Sequence, residues 1–165
     1  MVALRVASNS GIAVPQKVMD GAVKYVRSCY SERGGGFTYQ GHGNDVGFAR
    51  TAAATYSLQV CGLYDDALVN AGMKFMDARF DRDENHWTYG NFYAAPAHYM
   101  RGGKDWSDWY RRVNARLMRV VKRDIDQAHW DPTDPGAQQA GAIYATSVYV
   151  SILALPYGSL PIYQR

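Results

Sequence analysis

Over residues 15–30 the apolar residues Val18, Met19, Ala22, Val23, Val26 and Cys29 recur at helical spacing, which predicts one amphipathic helix with Pro15 suited to its first turn. A loop follows by composition over 31–45, carrying Gly34, Gly35, Gly36, Phe37, Tyr39, Gly41 and Gly43. Residues from about 47 to 61 predict a second helix, rich in alanine, apolar nearly all round and therefore buried on most sides, which Gly62 ends. Asp65 and Asp66 place negative charge at the start of a third, whose stripe is Leu68, Ala71, Gly72, Phe75 and Met76. After a charged loop at 81–85, residues 89–100 read as a fourth helix of small and aromatic residues, closed by Gly102 and Gly103. A fifth, 105–123, has its stripe at Trp106, Trp109, Tyr110, Val113, Leu117, Val120 and Val121, with the basic residues facing away. The sixth, about 142–155, is almost wholly apolar and stops before Pro156 and Pro161.

An amphipathic helix thus precedes a buried one three times, over about 15–61, 65–101 and 105–155. The pattern predicts an all-α fold of three antiparallel helix pairs with essentially no strand, in one domain spanning 1–165. Each pair carries a loop aromatic at a comparable place, Phe37, Trp87 and Trp130, spaced by 50 and 43 residues, and helix pairs repeating at this length are a solenoid or toroid signature. The segments around them are alike: Gly36-Phe37-Thr38-Tyr39, His86-Trp87-Thr88-Tyr89 and His129-Trp130-Asp131. A flat ring behind such a loop packs against the start of the next buried helix and sets the angle within the pair. Cys29 and Cys61 fall near opposite ends of the second helix, roughly 20 Å apart, too far to bridge.

The chain has 165 residues, 47% of them hydrophobic and 20% charged, which excludes a disordered chain. A net charge of +3 does not imply nucleic acid. Eight of the 18 basic residues lie within 101–123, and they read as the solvated face of the fifth helix, since its apolar stripe is used for packing. No run reaches the roughly 18 apolar residues of a membrane span, and residues 1–11 lack the apolar core of a signal peptide. A soluble chain is expected, cytoplasmic by default, or exported if a leader lies upstream. Neither Cys-x-x-Cys nor His-x-x-x-His spacing occurs among Cys29, Cys61, His42, His86, His98 and His129, so no metal or cofactor is expected. Gly34 to Gly36 lack the lysine and preceding strand of a phosphate loop.

Four segments together, Gly35-Gly36-Phe37-Thr38-Tyr39, Arg50-Thr51-Ala52-Ala53-Ala54, Tyr144-Ala145-Thr146-Ser147 and Leu160-Pro161-Ile162-Tyr163-Gln164-Arg165, resemble bacterial proteins of the prenyltransferase and squalene oxidase repeat family, within the terpenoid cyclase and protein prenyltransferase superfamily. The resemblance covers nearly the whole chain. It implies an α/α toroid in which outer and inner helices alternate around a central cavity. Three pairs are half of a full ring, which points to a partial toroid, the C-terminal part of a longer protein or a chain that pairs to close it. Residues 5–12 resemble the tail of an earlier repeat.

Family function carries over only where residues match. The acid motif of squalene-hopene-type cyclases, aligned on Thr51-Ala52, falls on Gly47, Ala49 and Arg50, and on Ala142, Tyr144 and Ala145 in the third repeat. The nearest acids, Asp81, Asp83 and Glu84, stand several residues early, as a solvated loop would. The zinc-ligand pair of protein prenyltransferases has no equivalent at Cys29 or Cys61. The catalytic residues are therefore unassigned, and the expected function is a noncatalytic or auxiliary toroid module that binds a protein partner or an apolar ligand on its inner face. The alternative is the C-terminal half of a squalene-hopene-cyclase-like enzyme whose acid lies in a missing N-terminal half. Inner-face candidates are Arg50, Tyr56, Tyr93, His98, Tyr144 and Tyr149, with Phe92 and Tyr99 beside them. Arg50 opposes the dipole of its helix and calls for a carboxylate partner or a bound anion. The expected partners are the rest of a longer chain or a second copy.

Overall fold

The computed structural model describes residues 1–82 and 84–158; Asp83 and the ending 159–165, with Pro161, lie outside the described residues. The fold is mostly helical and divides into two compact units, Met1–Phe80 and Asp81–Arg165, the boundary falling at the charged loop.

In the first unit α1 (Val2–Asn9) and α2 (Gln16–Ser28) precede a ribbon of β1 (Tyr30–Ser31) and β2 (Gly36–Phe37), then α3 (Phe48–Val60) and α4 (Ala67–Asp77). The ribbon is antiparallel, Tyr30 opposite Phe37 and Ser31 opposite Gly36. Its turn explains the glycines: Gly35 has φ +65°, and a Cβ on Gly36 would come within 2.8 Å of the Phe75 ring and of Thr51 Oγ1. As its composition predicts, α3 is buried on most sides, with Phe48, Thr51, Ala52, Thr55, Tyr56, Leu58, Gln59 and Val60 inside. Asp66 caps α4, accepting the Leu68 N–H at 2.9 Å. Where α3 crosses α4, a Cβ on Gly72 would lie 2.0 Å from Thr55 Oγ1, so glycine is what permits the approach.

In the second unit α5 (Trp87–Arg101) and α6 (Gly103–Val120) are followed by a ribbon of β3 (Lys122–Arg123) and β4 (Ala128–His129), then α7 (Pro135–Ala154) and a 3-10 turn (Leu155–Tyr157). Here Lys122 pairs with His129 and Arg123 with Ala128. The buried stripe of α6 is Trp109, Val113 and Leu117, and Arg111, Arg112 and Arg119 are exposed as expected. Thr88 of α5 meets Tyr149 of α7, and further along Phe92, Ala95 and Pro96 border the same seam as Ser151, Ile152 and Leu155. Both helices therefore run in the same sense, side by side.

Three expectations are corrected. Among the described residues two short ribbons stand where essentially no strand was expected, each of two-residue strands that hydropathy alternation is too brief to mark. The pairing differs as well. α3 packs chiefly on α4 and α5 chiefly on α7, whereas α2, the expected partner of α3, has no buried residue. The sixth helix begins at Pro135, with Asp134 as its cap and an interruption at Gly141 (φ 85°, ψ 178°). The stretch Pro135–Tyr157 has the length and apolar composition to cross a membrane. The break at Gly141 leaves residues 142–154 as continuous helix, about 20 Å against a hydrocarbon core of about 30 Å.

Candidate functional site

A buried polar network of the second unit lies where α5 and α7 begin. Asp134 is only 4% exposed, yet it is a carboxylate. It is held by donors from both helices: the Ala137 N–H at 3.1 Å on one oxygen, and on the other the Thr88 N–H at 2.9 Å together with the Thr88 hydroxyl. An ionised carboxylate only accepts, so the Thr88 proton points to Asp134 and the direction of the next bonds is fixed. Tyr149 then donates to Thr88 Oγ1 over 2.8 Å, and Thr133 donates to Tyr149 over 3.1 Å. The chain of hydroxyls ends on the buried charge, which is how such a charge is tolerated.

Aromatic rings enclose this network. Trp87 and Trp130 both stand edge-on to Tyr149 at 6.0 Å, and the Arg116 guanidinium lies 4.2 Å above the Trp87 ring. Burial pushes the Tyr149 phenol up, with the Thr133 and Thr88 hydroxyls offsetting part of the shift. Tyr144 is also pushed up, first by burial and then by the Asp134 charge. On the open side Tyr89 and Tyr93 meet edge to face at 5.1 Å, and Phe92 packs edge-on to Tyr93 at 5.2 Å. With every Asp134 oxygen engaged, the arrangement clamps two helix starts and displays tyrosines above them.

Two of the three loop aromatics are placed alike. Phe37 donates its N–H to Thr51 Oγ1 on α3 at 2.9 Å, and Trp130 donates its N–H to Thr146 Oγ1 on α7 at 3.0 Å. Each sits at or just beyond the second strand of a ribbon and is tied to the following buried helix. Trp87 departs from the pattern: it is the first residue of α5, and among the described residues no ribbon precedes it. Trp130 also donates its indole N–H to the Leu117 carbonyl at 2.8 Å.

The inner-face candidates separate. Arg50, half-buried, bonds the Asp45 carboxylate and backbone carbonyl, both at 2.5 Å, so its counter-charge is an ion pair. Tyr56, His98 and Tyr149 are buried within their own units and present no open surface, because the rings complete the helix contacts around them. Tyr93 and Tyr144 are half-buried, as are Phe92 and Tyr99. His98 lies at the other end of α5, its Nδ1 2.8 Å from Asp105 Oδ2 and its ring stacked on Trp109 at 4.9 Å, which keeps it apart from the tyrosine cluster. Asp81 is exposed and pairs with Arg112 at 3.0 Å, as a solvated loop acid does. Sequence reasoning missed Asp134, Thr88 and Thr133. Asp134-Pro135 was the available signal, a capping residue followed by proline at the first helical position.

Among the described residues no group of three or more His, Cys, Asp or Glu gathers as a metal site would require. Cys29 and Cys61 are free thiols. Compared with protein-family models, curated proteins and solved structures, the chain matches none.

Proposed function

We propose that the chain is a noncatalytic or auxiliary module of α/α-toroid type, resembling prenyltransferase and squalene oxidase repeats, whose inner helices bind a protein partner, a second copy of the chain being the simplest. The toroid reading is supported by the order of α5, α6 and α7: two helices side by side in one sense, joined by an amphipathic helix whose far face is basic and exposed. The binding reading rests on one observation, the exposure of apolar and aromatic residues on α5 and α7, two helices that lie side by side. Ile143 is 86% exposed, Val150 51% and Tyr89 46%, beside the half-buried Tyr93 and Tyr144. Surface of this kind on two adjoining helices marks an interaction site.

Sedimentation velocity over a concentration series, with binding of a hydrophobic dye in parallel, tests the reading. Self-association and dye binding are expected for the parent chain. Both should be lost on combining Tyr93→Ser with Tyr144→Ser, while the helical circular dichroism is kept. A chain that stays monomeric at high concentration and binds no dye overturns the proposal.

A further inference from the structure

Away from the tyrosine cluster, the first unit carries a groove of about 500 Å³ between α1, α2 and the turn after α3. Its volume lies in the range of small-molecule sites. The walls are of two kinds. Met19 and Val23 from the apolar stripe of α2 and Leu63 from the turn line it, and α2 buries none of its residues fully, so an amphipathic face that ought to be covered is only half covered. Around these stand Arg5, Lys24 and Arg27. Arg27 is neutralised by Asp66. Among the described residues neither Arg5 nor Lys24 makes an ion pair, and the one carboxylate lining the groove, Asp20, accepts the Gln16 amide at 2.9 Å.

We infer that this groove binds a single-chain aliphatic carboxylate, its hydrocarbon against Met19, Val23 and Leu63 and its head group between Arg5 and Lys24. The charge pattern selects this occupant. An uncharged hydrocarbon leaves both cations unanswered, and a cationic amphiphile meets like charge. A carboxylate supplies the missing counter-charge while its chain covers the α2 stripe. Cys61 lines the same groove and is half-buried, so it reports occupancy directly, whereas Cys29 is buried elsewhere in the unit.

The test uses the full chain and dodecanoate below its micelle concentration. Calorimetry should find one saturable site. Alkylation of Cys61 by N-ethylmaleimide, followed by peptide mass mapping, should slow about fivefold at four times the Kd, as mass action requires when the ligand covers the thiol. The double variant Arg5→Gln/Lys24→Gln changes one half-buried and one exposed groove residue, neither of them fully buried, and should keep the parent circular dichroism. It should weaken dodecanoate about tenfold through loss of two partly exposed charge contacts, and leave dodecanol binding unchanged. The inference is overturned by absence of saturable binding, by binding that leaves Cys61 alkylation unchanged, or by equal dodecanoate affinity in the double variant. Dodecyltrimethylammonium binding as well as dodecanoate would overturn the charge selection.

Discussion

Asp134 answers three donors at once, so what its removal costs is set by the groups left behind. Asp134→Ala orphans the Thr88 N–H and hydroxyl and the Ala137 N–H at the buried starts of two helices. The expected loss is about 3 kcal/mol in urea unfolding. Tyr149→Phe keeps the ring against Trp87 and Trp130 and removes only the hydroxyl, so a loss of about 1 kcal/mol is expected from the same measurement. Thr88 stood in a loop segment visible in the sequence, but its partner Asp134 is 46 positions away and no local pattern links them. Arg50 was more legible, because a cation at a helix start demands a counter-charge and Asp45 is close in sequence. Asp66 gives a pH test. Burial alone would raise its carboxyl, but the hydrogen bond from Arg27 and the Leu68 N–H outweigh it and hold the group below its ordinary value. A lowered folded value means stability present above the carboxylate range and lost as pH falls through it. Asp66→Asn retains a capping oxygen and loses the charge, so its deficit against the parent chain should be largest near neutral pH and shrink as pH falls through and below the ordinary carboxylate range. A deficit independent of pH would mean the charge contributes nothing.

Helices were legible where a stripe or an all-apolar run extended over several turns, and their ends were less so. The stripe of α4 was read in part: Gly72, Phe75 and Met76 are buried as expected, but Val69 and Met73 are buried where Leu68 and Ala71 are only half-buried, and the reason for Gly72 lies on another helix. Gly72→Ala gains roughly 1 kcal/mol of helix propensity and forces a methyl against Thr55. The second effect dominates in a close crossing, and a net loss of about 2 kcal/mol is expected. Thr55→Ala removes the hydroxyl, which is buried and has no hydrogen-bond partner. The pair should therefore be strongly non-additive in a double-mutant cycle, with Thr55→Ala recovering most of the Gly72→Ala loss. Simple addition of the two losses would show that α3 and α4 do not meet at this point. The start of α7 escaped notice because Asp-Pro-Gly reads as a turn and because Gly141 interrupts the helix, leaving only the later segment to show its apolar run. Two-residue strands offer no alternation to detect, although the Gly34 to Gly36 run did mark where one ribbon turns.

At the scale of the whole molecule, the alternation of amphipathic and buried segments was legible, and the closing of the fold was not, because an apolar position has the same appearance whether it is covered by its own chain or by another. The stripe Ile143, Val150 and Tyr157 shows this: the three recur every seventh residue, on one face of α7 and the turn that continues it, and are 86%, 51% and 82% exposed. The opposite side of the same helix, Ala145, Val148 and Ile152, is buried. A protein surface and a lipid surface would both cover such a stripe, and the two differ in what they require of the helix. Insertion needs a continuous span, and Gly141 leaves residues 142–154 about 20 Å long, with Ser147 and Ser151 donating back to the carbonyls of Ile143 and Ser147. A protein partner needs only the face. Ile143→Lys combined with Val150→Lys should leave the urea midpoint nearly unchanged, since both side chains are exposed, and should abolish self-association. Neither the parent chain nor the variant should float with vesicles of phosphatidylcholine and phosphatidylglycerol. If the parent chain floats and the double-lysine variant does not, the stripe faces lipid and the protein-partner reading of α7 fails.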